Sequence, residues 1–329
     1  MMHRRDFIML LAGAPAWPAA ARAQGERMRR IGVLTQYREG DSIAVPNLAA
    51  FRQKLRQLGW VEGYNLAIEY RGAAGQPDLF RQFAAELVAG KPDVLVASAG
   101  SGLEPLLQAT RTTPIVFTSI LDPVGRGYVE SLARPGGNAT GFMLFEFSIA
   151  SKWLDLLKQT APRLTRVAVV RDPTESGAGG QLGAVQAAAS TLGIEVRPID
   201  SRDPAGIERA ITAFAQQPNG GLIATISTSG QANSSTIIML AARHKLPTIF
   251  PLRHYAADDG ALMSYGPDQV EMWRQTAGYV DRVLRGEKPG ELAVQAPTKY
   301  ELVINLKTAK ALGLTVPPTM LIAADEVIE

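Results

Sequence analysis

Four short polar stretches carry the residue types suited to holding a small charged molecule without reacting with it. They are Thr35-Gln36-Tyr37, Ser98-Ala99-Gly100-Ser101-Gly102, Thr118-Ser119-Ile120-Leu121-Asp122 and Ser227-Thr228-Ser229-Gly230. Each follows a short apolar run and precedes a helical pattern. Small hydroxyls and glycine-exposed N–H groups therefore gather at helix N-termini, where an anionic group is favoured. Ser98, Gly100 and Ser101 make the best carboxylate clamp, with Thr118, Ser119, Thr228 and Ser229 as further hydroxyl donors. Ser and Thr at such positions also cap helices with no ligand involved.

Two acidic residues are candidates for pairing with a ligand amine. Asp122 stands at the end of the third stretch, where its carboxylate could meet an ammonium group; an Asp-Pro pair also starts turns and caps helices. Glu146, between Phe145 and Phe147, is a second candidate or a solvated residue of a connecting segment. Tyr37, Tyr255 and Tyr265 lie in or near the same loops, where a ring can stack on a planar ligand or simply pack.

Covalent chemistry finds little support. Gly100-Ser101-Gly102 lacks the third glycine of a dinucleotide fingerprint, and no Gly-x-x-x-x-Gly-Lys-Ser/Thr loop occurs. Of three histidines, His3 is near the start, His244 closes a predicted helix, and His254 stands beside Tyr255. A triad would need His254 with a serine and Asp258 or Asp259, and no spacing demands it. Metal-ligand spacings are missing too, and no cofactor is expected. The chain has no cysteine, which excludes disulfides, thiolate metal sites and a lipid-anchoring cysteine.

These stretches need a scaffold that brings strand ends together, and the apolar periodicity supplies it. Strands are predicted at 31–34, 66–70, 94–97 and 115–117. Helices are predicted at 47–58, closing at Gly59, then at 77–89, 103–110 and 125–133. After Gly141 the cycle restarts with helix 153–160, strand 166–170, helix 180–192, strand 194–199, helix 204–216, strand 221–226, helix 231–244 and strand 247–250. Strand and helix alternation of this kind implies right-handed crossovers and parallel sheets. Two successive units imply two lobes with a cleft between them, and ligands in such folds sit beyond the C-terminal ends of strands.

Further residues carry a family resemblance. Asp122-Pro123-Val124-Gly125, Ser131 to Asn138 with Thr140-Gly141, Gly260 to Pro267 and Pro297 to Lys310 together resemble the ABC-transporter substrate-binding proteins related to the binders of tryptophan, tyrosine and phenylalanine. The likeness covers nearly the whole chain after residue 23. It implies a type I periplasmic-binding architecture: α/β, with two doubly wound parallel-sheet lobes joined by a three-segment hinge. In that architecture the strand at 260–266 crosses back into the first lobe through helix 268–284, and 296–305 returns. The implied lobes are 27–145 plus 265–292 and 146–264 plus 293–329. The resemblance also implies a small-molecule ligand, an amino acid or analogue, and a membrane ABC permease as partner; a sensory module serving a membrane receptor is the alternative. The stretch Ser227 to Gly230 departs from the family pattern, so an aromatic ligand does not simply carry over.

Arg4-Arg5 precede an apolar run at Phe7 to Ala14, and Ala21-Arg22-Ala23 offers the small-x-small pattern of a cleavage site. Residues 1–23 therefore read as an export signal, with the remaining chain soluble in the periplasm. The apolar run is far shorter than the ~20 residues that span a bilayer. Arg4, Arg5 and Arg22 against Asp6 account for +2 of the formal charge of +3, leaving +1. The other charges are interspersed, which argues against a nucleic-acid partner, and a monomer is expected. Arg4-Arg5-Asp6-Phe7-Ile8 resembles a twin-arginine signal, although Met9 stands where lysine is frequent. Replacing both arginines (Arg4→Lys with Arg5→Lys) should abolish export if this route is used; unchanged appearance of the mature chain in a periplasmic fraction would leave the general secretory route.

Overall fold

The structure is a computed structural model that describes residues 27–175 and 177–329; the expected signal at 1–23 lies outside the described residues. Five strands build the first sheet: β1 (Arg29–Thr35), β2 (Leu66–Gly72), β3 (Val94–Ser98), β4 (Ile115–Ile120) and β5 (Ala139–Met143). Their order is β2-β1-β3-β4-β5 and every pairing is parallel. Helices α1 (Ala44–Gln57), α2 (Pro77–Ala89) and α3 (Ala99–Ala109) connect them.

Strand alternation decides which helix covers which face. Ile31, Val33, Val94, Val96 and Val116 point to one side and pack with Phe51 and Leu55 of α1. Leu34, Leu95, Ala97, Ile115 and Phe117 point to the other, against Phe80, Ala84 and Leu87 of α2 and Leu103 and Leu106 of α3. Residues buried on both faces read as unbroken apolar runs, which is why these strands are evident in the sequence. Helix α1 ends as expected: Gly59, just past its C-cap Leu58, takes φ +94°, a conformation open to glycine without a Cβ clash.

The second unit contains α4 (Ile149–Thr160), β6 (Arg166–Arg171), α5 (Ala178–Leu192), β7 (Glu195–Asp200), α6 (Pro204–Phe214) and β8 (Gly220–Ala224). It continues through α7 (Thr228–Ala232), α8 (Ser234–Arg243), β9 (Thr248–Phe250), α9 (Arg253–Ala257) and β10 (Met263–Pro267). Then α10 (Gln269–Leu284) leaves, and β11 (Tyr300–Asn305), α11 (Leu306–Leu312), α12 (Pro318–Ala323) and β12 (Glu326–Ile328) complete the sheet. Its order is β12-β11-β10-β9-β8-β6-β7. Only the β10–β11 pairing is antiparallel. One large core, with Trp153, Phe145 and Phe214 fully buried, lies under it.

The chain passes between the sheets three times. It leaves the first after β5, returns through α10, and crosses again before β11. Helix α10 packs on the first lobe: Trp273 meets the Phe51 ring edge-on with centroids 5.7 Å apart, and Trp60 Nε1 donates to Asp281 Oδ1 at 2.8 Å. Asp268 caps α10 by accepting from the Glu271 N–H at 3.0 Å.

Several expectations need correction. Residues 125–133 form turns and bends rather than a helix: Asp122 Oδ1 accepts from the Gly125 N–H at 2.8 Å, but Gly127 takes φ +69°, a left-handed conformation that ends the turn before a helix can extend. Residues 139–143, where no strand is predicted from the sequence, form β5. The helix expected over 231–244 divides at Asn233 into α7 and α8. Strand β10 stays paired in the second sheet through Pro267, beyond the expected division between 264 and 265.

Gly266 is set by close approach, because a Cβ there would lie 1.7 Å from the Pro251 carbonyl oxygen. Backbone at that range cannot yield as a side-chain tip can. Gly266→Ala should lower stability by about 1–3 kcal/mol, the usual cost of overpacking, read as a lower urea midpoint with an unchanged m-value.

Candidate functional site

A cavity of about 290 Å³ lies between the two sheets. Its walls come from strand ends and the segments that follow them. Gln36 and Tyr37 follow β1, Ser98 to Ser101 join β3 to α3, and Ser119, Ile120 and Leu121 end β4. Thr174 and Glu175 follow β6, Ile226, Ser227 and Thr228 follow β8, and Leu252 follows β9. Leu144 and Gln269 come from the first and second crossovers. The cavity thus occupies the place that a doubly wound sheet reserves for ligands.

On the first lobe, β3 enters α3 with no connecting loop, and the reversal falls on Ala99, with φ +62°. Ser119, near the end of the neighbouring β4, takes φ +61°. Such conformations in residues other than glycine are uncommon and cost free energy that the surrounding fold must offset. The Ser98 side chain makes no capping hydrogen bond to α3 among the described residues. First-turn N–H groups of a helix have no acceptor within it, so Ala99, Gly100 and Ser101 bring unsatisfied donors and the positive end of an 11-residue helix to the cavity.

The second lobe supplies the opposite charge. Glu175 Oε1 accepts from the Thr228 N–H at 2.7 Å, and its Oε2 lies 3.8 Å from Arg126 Nη2 across the cleft. At that separation the pair is a loose ion contact rather than a hydrogen bond. Glu104 also lines the cavity. Gln36 Nε2 donates to Gln231 Oε1 at 3.2 Å, a second direct contact between lobes.

Beneath the Thr228 wall lies a polar network built on Asp172. Its Oδ1 accepts from the Thr174 N–H at 2.9 Å and the Thr174 hydroxyl at 2.6 Å, and its Oδ2 accepts from the Ser229 hydroxyl at 2.9 Å. Ser229 Oγ is also 2.6 Å from Ser201 Oγ, and Asn233 Nδ2 donates to the carbonyls of Ser201 and Ser229. Desolvation alone would raise the Asp172 carboxyl. The donated hydrogen bonds and the nearby Arg202 charge outweigh it and hold the group below its ordinary range.

Of the residues expected from sequence, Tyr37, Ser98, Gly100, Ser101, Ser119 and Thr228 come together around the cavity. The others do not line it. Thr118 is fully buried in β4. Asp122 is engaged by the Gly125 N–H, and Glu146 is exposed at the first crossover. Ser229 is turned into the Asp172 network. Tyr255 is buried, its ring 4.7 Å from Phe250 and 4.0 Å from His254; burial pushes its hydroxyl above the ordinary tyrosine value. Tyr265 stacks on Tyr300 at 5.9 Å. His254 has its ring pushed down to about 4 by burial, with Arg253 adding to the shift and Asp258 opposing it, and it too is away from the cavity lining.

Sequence reasoning missed Glu104, Arg126, Glu175, Gln231 and Gln269. The strand-end rule applied to β6 would have reached Thr174 and Glu175, since they follow it as the four chosen stretches follow theirs.

The Asp172 network makes a pH-dependent contribution. A carboxyl whose folded value is depressed stabilises the fold above its unfolded value near 3.9 and loses that contribution as pH falls through the folded value. Asp172→Asn should cost about 1–3 kcal/mol at neutral pH, and the wild-type and variant stabilities should converge below about pH 4. Urea denaturation across pH checks this; a constant gap down to acid pH would contradict it.

The family of ABC transporter substrate binding proteins matches residues 31–328. The chain is 25% identical over 266 residues to the tyrosine-binding protein of Clostridioides difficile (strain R20291), covering 80% of this chain and 75% of that one. A solved structure described as a conserved domain protein from Vibrio cholerae is 31% identical, with 92% of this chain and 100% of that chain covered and a TM-score of 0.79. An ABC domain in complex with L-Trp from Streptococcus pneumonia shares the fold at 24% identity, 91% and 99% coverage and a TM-score of 0.81. With an interlobe cavity, two lobes of this topology and a match over almost its whole described length, the chain belongs to the family of ABC transporter substrate binding proteins.

Proposed function

We propose that this protein is exported to the periplasm, captures a small amino-acid-like ligand between its lobes and presents the closed form to a membrane ABC permease. The observation that carries the ligand reading is the pairing of opposite charges in one small cavity. An uncapped helix N-terminus at Ala99 to Ser101 stands on one lobe and a carboxylate at Glu175 on the other. The first suits an α-carboxylate, and the second suits an α-ammonium group. Glu175 Oε2 has the capacity, since Arg126 approaches no closer than 3.8 Å. Ser98, Ser101 and Ser119 add neutral donors beside the carboxylate position.

Capture needs no covalent step: the ligand bridges two lobes that already touch through Gln36 and Gln231, and closure follows from its extra contacts in the closed form. The relatives' names agree in kind, one being a tyrosine-binding protein and another a domain holding L-Trp. Among the described residues no helix is long and apolar enough to cross a membrane, and in this reading delivery passes to a separate permease.

Calorimetric titration of the chain lacking residues 1–23 against the common L-amino acids should show saturable binding of at least one. Glu175→Gln should weaken that binding about 10–100-fold, the equivalent of one charge-assisted hydrogen bond. The same variant should lose less than wild type when the ligand's amine is replaced by hydroxyl. An absence of binding across the panel would remove the amino-acid reading.

A further inference from the structure

We propose that Leu121, Phe147 and Gly177 form an apolar clasp that populates the closed form before any ligand arrives, with Phe147 as a positioning residue for capture. The clasp deepens the capture reading above, and only its effect on affinity rests on that reading. Leu121 follows β4 in the first lobe, directly after Ile120, whose carbonyl accepts from the Leu144 N–H of the first crossover at 2.8 Å. Among the described residues it is the only one ahead of β5 that joins the core of the second lobe, and it is 9% exposed. A first-lobe side chain is thus buried in the opposite lobe.

The socket that receives it is made by missing side chains. A Cβ on Gly177 would lie 2.6 Å from Phe147 Cε1 and 3.2 Å from Leu121 Cδ2, and a Cβ on Gly180 would lie 2.5 Å from Phe147 Cδ2. The ring therefore lies across one turn at the start of α5, on the face that residues three apart share, and Leu121 meets it over Gly177. Gly179 and Gly183 of the same helix have open space where a Cβ would stand. Glycine is disfavoured within helices, so the ring gives a reason for glycine at 177 and 180 that 179 and 183 lack. Gly177 stands two residues after Glu175, so the clasp also holds the segment that carries the cleft carboxylate.

Separating the lobes would pull Leu121 off this surface and return apolar area to water, which costs free energy in proportion to that area. Phe147 stands beside the cavity without lining it, so it reaches a ligand only through the position of the lobes. Where binding needs the closed form, apparent affinity scales with the fraction closed. Loosening the clasp should therefore weaken every ligand by one common factor, whereas a lining residue changes different ligands unequally.

The chain has no cysteine, so one introduced on α2 and one on α6 carry spin labels cleanly, and distances between them read the open and closed populations of the unliganded mature chain. Wild type should show a measurable closed fraction. Phe147→Ala should lower it about 3–30-fold, the range for losing part of the contact around a buried apolar side chain. Gly180→Ala should lower it too, because the added Cβ displaces the ring, while Gly183→Ala, which meets open space, should leave it unchanged. Combining Gly180→Ala with Phe147→Ala should add nothing to Phe147→Ala alone, as expected of residues that share one contact. Circular dichroism reports whether each variant is folded, and Gly180→Ala carries the test if Phe147→Ala is not. Any amino acid that binds should lose affinity by the same factor as the closed fraction, whatever its side chain. A closed fraction absent from unliganded wild type, or unchanged in either folded variant of the clasp, overturns the proposal. Gly183→Ala lowering it as far as Gly180→Ala overturns it as well. Failure of every amino acid to bind removes the parent reading and leaves the clasp to stand or fall on the measured distances.

Discussion

The chain leaves the first sheet at the C-terminal end of β5 and leaves the second at the C-terminal end of β10, so both passages run along the edge where the parallel strands finish. The third passage must re-enter at that same edge. A strand entering there can only run against its neighbour, which is why β11 pairs antiparallel with β10 and Tyr300 lies opposite Pro267. The three passages are tied to one another. The Gln295 N–H donates to the Gly141 carbonyl, and the Met143 N–H donates to that of Gln295. The Asp268 N–H donates to the Lys299 carbonyl, and Lys299 Nζ lies 2.8 Å from Asp268 Oδ2. Backbone pairing of this kind lets the segments bend together while holding the two strand-end surfaces opposite each other. The cavity is the space this connectivity leaves.

Charge placement around that hinge is uneven. Burial, followed by the nearby charge of Asp268, pushes the Glu301 carboxyl up to about 7, with Asp325 adding and Arg253 and Lys299 opposing. Asp268, by contrast, overcomes its desolvation through Lys299 and the α10 N-terminus and stays below the ordinary range. Two carboxyls beside one lysine therefore divide its benefit unequally, as neighbouring like charges do. The cleft shows the same two-to-one ratio: one guanidinium, Arg126, stands among two lining carboxylates, Glu104 and Glu175. The lining carries a formal excess of negative charge, and the positive helix end at Ala99 to Ser101 balances it with partial rather than full charge.

The architecture was legible because its signals are local and repeated. Apolar runs of four to six residues marked the fully buried strands, Pro77 marked the first turn of α2, and Gly59 marked the exit from α1. What escaped had composition that misleads. Strand β5 begins directly after Gly136-Gly137-Asn138, and its edge position with small residues gives no long apolar run. The expected helix at 125–133 fails at Gly127, whose φ of +69° ends the turn that Asp122 begins. The cavity was half legible for the same reason: Ser98, Ser101 and Thr228 sit at strand-to-helix junctions with a recognisable pattern. Arg126, Glu175 and Gln231 have ordinary surface character in the sequence, and only the apposition of two lobes puts them together. The rings failed because an aromatic residue near a loop has two outlets, and the cores beneath Tyr255 and Tyr265 took them.

The contacts that join the lobes across the cavity are weak individually. A partly exposed ion pair such as Arg126 with Glu175 contributes about 0–1 kcal/mol, and a neutral amide pair such as Gln36 with Gln231 about 0.5–1.5 kcal/mol. Taking a two-state equilibrium from almost fully open to almost fully closed requires about 5.5 kcal/mol of differential binding. These cleft contacts fall well short of that, so they orient the closed form without imposing it. A ligand whose carboxylate is held by one lobe and whose amine is held by the other supplies two charge-assisted contacts available together only in the closed form, about 3–6 kcal/mol in sum. Apolar contact from both walls adds to the same difference. A ligand lacking either charged group would engage one lobe alone, and the lobes would have little reason to remain shut around it.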